Sequence, residues 1–307
     1  MKSEMHFGMS RREVLKMATG TGLAGVMLGP LTKTVRASDQ YSSVVLAKGP
    51  VGYWRLGEAS GPTAADASGN GYDGRYLGNP TFGQAAAIAN DPDTAVGFNG
   101  PDSQDYVEIP DPDSQAFSQP TSTVGLTVEV WMRPDVLTFP GQTSDIYIHW
   151  LGKGVRPQLE WALRFYSQDS PTRPNRISAY IWNPDDPPPA LGAGAFFQDV
   201  LTPGQWIHVV AVYEPGDKDT DPPAGVRIYR DGVFRQGPLT SSGTLYKSFN
   251  IVPTHGTAPL RLGTRDAAIS GADAVSYFNG GLDEVAIYPR VLGDDEIREN
   301  YCVGSKQ

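Results

Sequence analysis

A short run rich in aspartate, asparagine and glycine, residues 66–74, carries side chains that could bind a hard cation. Asp66, Asn70 and Asp73 supply carboxylate and amide oxygens, and the glycines between them allow backbone carbonyls to turn inward. Calcium prefers about six to eight oxygen ligands of these kinds. The same residues are also typical of a turn in which side chains hydrogen-bond the nearby backbone. The run therefore leaves two interpretations open, a calcium site and an Asx-rich turn.

A second group of side chains shares the polar face of three strand-like runs. In residues 160–166 and 176–182, apolar residues alternate with arginines and aromatic residues, which places the two kinds on opposite faces of a strand. A third run, residues 146–151, adds residues of similar character. The predicted ligand-binding face comprises Tyr147, His149, Arg164, Tyr166, Arg176, Tyr180 and Trp182.

Aromatic rings stack on the apolar faces of sugar rings, and polar side chains hydrogen-bond their hydroxyl groups. This face is therefore predicted to bind carbohydrate. The alternative is a sheet face covered by long loops, with Trp182 packed under Pro187–Pro189.

Hydrolysis of a glycoside needs two carboxylates about 5 to 10 Å apart. Glu160 stands alone on its strand, and the adjacent Asp283 and Glu284 would point to opposite faces of a regular strand. The chain shows no recognisable motif for a serine or cysteine nucleophile with a matched histidine. The sequence therefore predicts a protein that is not an enzyme.

The histidines and the single cysteine offer no zinc site or internal disulfide. No two of the four histidines have the spacing of a zinc pair. His208 alternates with apolar strand residues and is predicted to be structural. Cys302 has no partner in the chain, and we expect it to pack beneath the last helix.

These side chains must be positioned by short strands. The chain has 35 glycines and 26 prolines, which indicates many turns. Alternating runs occupy residues 106–109, 126–132, 146–151, 159–166, 176–182, 206–213, 226–230 and 282–288. Helices are predicted only over residues 42–47 and 294–301, the second capped by Gly293 or Asp294. The predicted fold is all-β, with two antiparallel sheets packed face to face and one or two short helices.

The order of several segments resembles a known family. They are the opening run 51–58, the loop 66–74, the strands 126–133, 206–213, 228–232 and 261–263, and the closing run 278–292 with the helix start that follows it. Together they resemble the laminin-G-like, concanavalin A-like jelly roll over about residues 41–302. The resemblance implies a structural calcium ion that bridges the loop near the N-terminus and the last strand. Its ligands would be Asp66, Asn70 and Asp283.

The N-terminus resembles an export signal. Residues 10–16, with Arg11 and Arg12, are close to the twin-arginine pattern, and a glycine-rich, weakly apolar stretch follows over residues 17–31. Small residues at Val35 and Ala37 predict cleavage after Ala37. A chance arginine pair before a buried helix is the alternative, but the glycines make a poor helix.

We therefore expect a signal peptide over residues 1–37 and a jelly-roll domain over 38–307. The mature protein would be periplasmic, bound in the cell envelope or extracellular. Either Met1 or Met9 could be the first residue. The apolar stretch is too short for a stable membrane span, and we expect none in the mature chain.

The charge of the chain excludes some partners. The formal net charge is −9. Removal of residues 1–37 takes away six basic and two acidic side chains, which leaves −13. Nucleic acid and anionic lipid both need clustered lysine and arginine, so neither is an expected partner.

The leading hypothesis is an exported, non-catalytic, lectin-like module that binds a glycan and contains structural Ca²⁺. The alternative is a protein-interaction or structural module of the cell envelope, with loops such as residues 217–223 as its contact surface. A polysaccharide hydrolase or lyase is a third interpretation. The sequence leaves open the glycan or partner, the oligomeric state and whether calcium is structural or bridges a ligand.

Overall fold

The computed structural model describes residues 37–111, 116–118, 124–140, 146–155, 158–182, 192–214, 225–235, 256–265 and 276–305. Residues 1–36 of the predicted signal peptide, the prolines at 187–189 and the loop at 217–223 lie outside these residues. No helix in the described part of the chain is long and apolar enough to cross a membrane.

Two helices and sixteen strands make up the described structure. The helices are α1 (Ala37–Ala47) and α2 (Asp294–Gly304). The strands are β1 (Gly52–Trp54), β2 (Thr63–Ala64), β3 (Gly74–Leu77), β4 (Thr81–Ala85), β5 (Thr94–Asn99), β6 (Tyr106–Ile109), β7 (Leu126–Pro134), β8 (Tyr147–Val155), β9 (Gln158–Tyr166), β10 (Arg176–Trp182), β11 (Gly192–Gln198), β12 (Ile207–Glu214), β13 (Gly225–Arg230), β14 (Val233–Arg235), β15 (Leu260–Leu262) and β16 (Asn279–Tyr288).

The strands form two antiparallel sheets. The first sheet has the order β14-β13-β12-β7-β16-β5-β4, with β1 also paired to β16. The second sheet has the order β11-β10-β9-β8-β15-β6-β3-β2. The predicted two-sheet jelly-roll sandwich is confirmed.

The main core lies between the sheets. Val128 and Val209 from the first sheet meet Trp150, Trp161 and other apolar side chains from the second. These residues occupy alternate positions of their strands, so the same strands present a different set of side chains on their outer faces. Each sheet therefore has one face buried in the core and one face available for other contacts.

Both helices cover the outer face of the first sheet. Tyr41 and Val45 of α1, together with Ile297 and Val303 of α2, share a second buried cluster with Trp131 of β7. The helices are at opposite ends of the described chain but lie together, and Lys48 Nζ is 2.8 Å from Glu299 Oε2. The outer face of the second sheet has no such helical cover in the described structure.

Helix α2 begins where the sequence predicts and ends later. Glu296 Oε2 accepts a hydrogen bond of 3.0 Å from the Gly293 backbone N–H, which satisfies one of the free donors at the helix start. The helix runs to Gly304 rather than to residue 301, because Val303 and Gly304 are buried at its end. Helix α1 likewise begins at Ala37, earlier than the predicted residue 42.

The prediction for Cys302 is wrong. Its neighbours Ile297, Asn300, Val303 and Gly304 form the buried side of α2, whereas Cys302 is exposed. A helical period of about 3.6 residues puts it on the other side of the helix. Six of the eight alternating runs lie within strands, and the other two begin one residue before their strands, at Ile146 and Trp206. Several strands extend beyond their predicted runs by one to four residues, and the strands β2–β5, β11 and β14 were not predicted.

Candidate functional site

The predicted ligand-binding residues lie on the outer face of the second sheet, on adjacent strands β8, β9 and β10. Tyr147 pairs with Tyr166, and His149 pairs with Arg164 across β8 and β9. Their chain neighbours Ile148 and Phe165 point into the core instead. The structure therefore brings these side chains together as strand alternation predicts.

Arg164 lies at the centre of this face. Its guanidinium carbon is 4.3 Å from the ring centre of Tyr180, 5.1 Å from that of Trp182 and 5.2 Å from that of Tyr147. Arg164 Nε donates a hydrogen bond of 3.3 Å to His149 Nε2.

Three more arginines surround this centre. Arg173 Nη1 donates a hydrogen bond of 3.3 Å to the Tyr166 hydroxyl, and Arg176 stacks at 3.7 Å over Phe196 of β11. Arg265, in the segment after β15, stacks at 4.9 Å over Trp182. We call Arg164, Arg173, Arg176 and Arg265, with the aromatic rings that they contact, the arginine face.

Sequence reasoning missed three members of the arginine face. Arg173 lies in the loop between β9 and β10, Phe196 lies on the unpredicted strand β11, and Arg265 lies well beyond the three predicted runs. Strand alternation carries no signal for a loop residue or for a strand rich in glycine and alanine. The clustering of three arginines at 164, 173 and 176 was the available hint.

Burial differs between the two kinds of side chain on this face. The side chains of Tyr180 and Trp182 are only 2% and 6% exposed, and Tyr166 is fully buried. Arg164, Arg173 and Arg176 are half-buried, whereas Arg265 is buried. The rings therefore lie largely beneath the guanidinium groups and support them.

A small cavity opens near one end of β8 and β9. Its volume is about 140 Å³, and its lining includes Phe139, Ile148, Phe165, Tyr277 and Phe278. Ligand sites for small molecules are usually about 300–1,000 Å³, so this cavity is small for such a site. Its apolar lining gives little means of recognising a polar ligand.

The predicted calcium loop has the contacts of an Asx-rich turn. Asp66 Oδ1 accepts hydrogen bonds from the backbone N–H groups of Tyr53 and Ser68 at 3.0 and 2.9 Å. Its Oδ2 accepts from the Ser68 hydroxyl and the Tyr72 N–H at 2.8 and 3.0 Å. The Asn70 amide donates to the Val51 carbonyl at 3.0 Å. Both Asp66 oxygens are therefore already engaged within the protein.

Asp283 makes a different contact. Its Oδ2 accepts a hydrogen bond of 2.8 Å from the Ala87 N–H, which does not belong to the loop 66–74. The described residues contain no group of three or more histidine, cysteine, aspartate or glutamate side chains arranged to hold a metal ion. Asp66, Asn70 and Asp283 thus each have hydrogen-bond partners within the protein, and calcium binding at these residues stays a prediction.

The expectation that Asp283 and Glu284 point to opposite faces is wrong. A β-bulge lies between Asp283 and Ala286, and Glu284 has a left-handed backbone with φ of 52°. Asp283 pairs with Trp131, and Glu284 accepts a hydrogen bond from the Tyr53 hydroxyl, so both carboxylates lie on the helix-covered side of the first sheet. The bulge breaks the alternation on which the expectation depended.

This carboxylate pair is buried, and Glu284 is paired with an arginine. Arg55 Nη2 lies 3.0 Å from Glu284 Oε1 and also contacts Asp91 and Asp93 at 3.1 and 2.9 Å. Burial, together with the neighbouring Glu284 charge, raises the pKa of the Asp283 carboxyl well above its usual range. Since Asp283 and Glu284 are 2% and 1% exposed, a polymer substrate has no direct access to them.

Glu160 is also occupied. Its Oε1 is 2.6 Å from Lys153 Nζ, which lies 2.9 Å from Asp111 Oδ1. Burial raises the pKa of Glu160, although the ammonium group of Lys153 opposes the shift. This buried ion group ties β8 to β9 and is unsuited to contact with a substrate.

Glu129 is the centre of a buried network that the sequence did not reveal. It accepts hydrogen bonds from Tyr41 (3.2 Å), Tyr288 (2.8 Å) and Asn300 (2.7 Å), and its Oε1 lies 2.8 Å from His208 Nε2. Burial alone would raise the pKa of Glu129, but these donors outweigh burial and lower it. The structural role predicted for His208 is confirmed, because its ring is buried in this network.

The chain matches one family model and many solved structures. The model described as the concanavalin A-like lectin/glucanases superfamily matches residues 101–298. A receptor binding domain matches with a TM-score of 0.57 and 12% identity, over 87% of this chain and 53% of that chain. No functionally curated protein matches the sequence.

Two other similar structures are binding domains of botulinum neurotoxin DC, one in complex with SialylT and one with rat synaptotagmin II. Their TM-scores are 0.54 and 0.55, each with 12% identity over 84% of this chain and 52% of the other. The chain thus spans about half the length of these structures. At such identities the likeness concerns the fold.

Proposed function

Because this chain belongs to the concanavalin A-like lectin/glucanase superfamily, we propose that it is a lectin-like module that binds carbohydrate on the outer face of its second sheet. The arginine face is the observation that carries this proposal. It combines half-buried arginines with Tyr147, a half-buried ring beside Arg164. Charged N–H donors next to an aromatic ring are suited to a polyhydroxylated ligand.

The arrangement of the sheets and helices favours the outer face of the second sheet as the binding surface. The inner faces of both sheets form the core, and α1 and α2 cover the outer face of the first sheet. The outer face of the second sheet lies on the other side of the sandwich and presents the arginine face. A domain of similar fold has been solved with SialylT, which supports a glycan as the kind of ligand.

The proposed function is binding without hydrolysis. The carboxylates singled out from the sequence, Glu160, Asp283 and Glu284, are buried and tied to protein partners. A hydrolase or lyase would release reducing ends or unsaturated products from a polysaccharide. We expect neither product when the mature protein is incubated with a polysaccharide that it binds.

We further propose that the protein is exported by the twin-arginine route and that residues 38–307 bind the glycan outside the cytoplasm. Calcium at Asp66, Asn70 and Asp283 is a separate prediction, and glycan binding at the arginine face does not depend on it.

Trp182→Ala tests the proposal directly. Trp182 supports Arg164 and Arg265, so its removal should abolish binding of a glycan identified on an array, as measured by isothermal titration calorimetry. Trp206→Ala is a matched control, because Trp206 stacks with Arg133 at 5.2 Å on the first sheet. The control variant should bind the glycan as the parent protein does.

If both variants bind glycan equally well, the site is not at the arginine face. A protein-interaction module is the second candidate, since a domain of similar fold has been solved with rat synaptotagmin II. Binding of a protein partner that survives Trp182→Ala, without any glycan binding by the parent protein, would favour this candidate.

A further inference from the structure

We infer that the glycan held at the arginine face is acidic, a polysaccharide that carries carboxylate or sulfate groups. This inference rests on the proposed function and names the class of ligand. The contacts of the four arginines, their burial and the charge of the whole chain carry it.

The arginine face gathers four cationic side chains of an acidic protein. The chain has 34 acidic and 25 basic side chains, and an acidic protein repels a polyanion at long range. Against that background, Arg164, Arg173, Arg176 and Arg265 converge from β9, β10, the loop between them and the segment after β15. They meet through shared rings, with Tyr166 between Arg173 and Arg176, and Trp182 between Arg164 and Arg265.

The rings are poorly placed for direct stacking of a neutral sugar. Tyr180 and Trp182 are nearly buried, and guanidinium groups lie within 4.3 to 5.1 Å of their ring centres. The chemistry that reaches the surface is therefore largely that of the half-buried arginines. Guanidinium N–H groups match carboxylate and sulfate oxygens in geometry and charge, and such charge-assisted bonds are about twice as strong as neutral ones.

Stacking also holds the arginines in place before a ligand arrives. Arg176 lies 3.7 Å over Phe196, and its Nε and Nη2 donate to Gln198 Oε1 at 3.1 and 2.9 Å. Arg164 is similarly fixed by three rings and His149. A side chain that is already ordered loses less conformational entropy on binding. The three half-buried arginines, Arg164, Arg173 and Arg176, lie on one face and suit repeated charges along a polymer.

The test compares polymers that differ only in charge. Polygalacturonate and its methyl-esterified form share a backbone, and dextran sulfate and dextran form the corresponding sulfated and neutral pair. We expect the mature protein to bind at least one charged polymer about tenfold or more tightly than its neutral partner. Binding should weaken between 0.1 M and 1 M NaCl, since the screening length falls from about 10 Å to about 3 Å.

Substitutions test whether the charged polymer binds at the arginine face. Arg173→Gln and Arg176→Gln alter half-buried residues, and each should weaken binding of the charged polymer several-fold. Arg164→Lys keeps the charge but loses the planar group that stacks on three rings, so it should also weaken binding. Arg298→Gln on α2 is the control, because its side chain is 63% exposed on the opposite side of the molecule. Thermal melting establishes that each variant is folded.

The outcomes separate this inference from the proposed function. Equal binding of charged and neutral polymers, or unchanged binding by the folded arginine variants, would overturn the acidic-glycan inference and leave a lectin. The absence of binding to any polysaccharide would overturn both. Equally tight binding of a single-stranded oligonucleotide would overturn the inference as well, because the face would then recognise polyanions in general.

Discussion

A single carboxylate, Glu129, connects three parts of the structure. It lies on β7 and accepts hydrogen bonds from Tyr41 of α1, Tyr288 of β16 and Asn300 of α2. All four side chains are buried, so each hydrogen bond forms away from competing water. The attachment of both helices to the first sheet therefore depends on polar contacts as well as apolar packing.

Glu129→Gln should lower the free energy of unfolding by about 3 kcal/mol or more. The amide group of glutamine presents hydrogen atoms where Tyr288 and Asn300 require an acceptor, so buried donors lose their partners. Urea denaturation measures the change. Tyr288→Phe is the matched control and should cost only about 1 kcal/mol, since it removes one donor. If both variants lost a similar free energy of unfolding, Glu129 would contribute no more than its single hydrogen bond with Tyr288.

Residue-scale prediction worked best where alternation persists along a strand. The phases of β9 and β10 could be read from the sequence, and they place Arg164, Tyr180 and Trp182 correctly. The positions of Asp283 and Glu284 could not be read from the sequence, because a bulge with a left-handed residue has no clear sequence signal. The stacking of Arg265 on Trp182 depends on tertiary packing between distant segments and could not be read from local pattern.

At the scale of elements, the start of helix α2 is stabilised by the carboxylate of Glu296. Glu296 bonds the Gly293 N–H, and its carboxylate lies 2.6 Å from Arg290 Nη2. The hydrogen bond from Arg290 lowers the pKa of Glu296 to about 2. A carboxylate with a lowered pKa in the folded state stabilises the protein above its unfolded pKa, and this contribution is lost as the pH falls through the folded value.

The melting temperature of Glu296→Gln should therefore be lower than that of the parent protein near pH 6. The difference should shrink as the pH falls from about 4.5 towards 2, because protonated glutamate and glutamine are then similar. The effect is modest, below about 1 kcal/mol, since the pair is partly exposed to solvent. Melting curves of both proteins across this range provide the measurement. A difference that does not change with pH would mean that the ion pair contributes nothing.

Elements with long alternating patterns were predictable, and short ones were not. β6 and β10 match their predicted bounds, because each run is bracketed by turn residues. β11 reads Gly-Ala-Gly-Ala-Phe-Phe-Gln, where small residues hide the alternation, and it forms a strand through seven residue pairs with β10. Tertiary pairing rather than intrinsic preference determines such a strand.

At the scale of the whole molecule, calcium remains the open prediction. A ligand that binds only the native state raises its stability by RT ln(1 + [L]/Kd), about 2.7 kcal/mol at a hundredfold excess over Kd. If calcium binds as predicted, the melting temperature of residues 38–307 should rise by several degrees from EDTA to excess Ca²⁺.

Asp283→Asn should remove this rise, because it removes a charged ligand while an amide oxygen can still accept the Ala87 hydrogen bond. Equal melting of the parent protein in EDTA and in calcium would identify residues 66–74 as an Asx-rich turn alone. A rise that persists in Asp283→Asn would place the ion elsewhere.

The two ends of the described chain lie on the same side of the sandwich. α1 and α2 both pack on the outer face of the first sheet, whereas the arginine face belongs to the outer face of the second. A biosensor tether or fusion partner attached through either helix would therefore leave the arginine face directed towards the solution. Immobilising the protein through α1 or α2 on a sensor chip should preserve its capacity for soluble polymer.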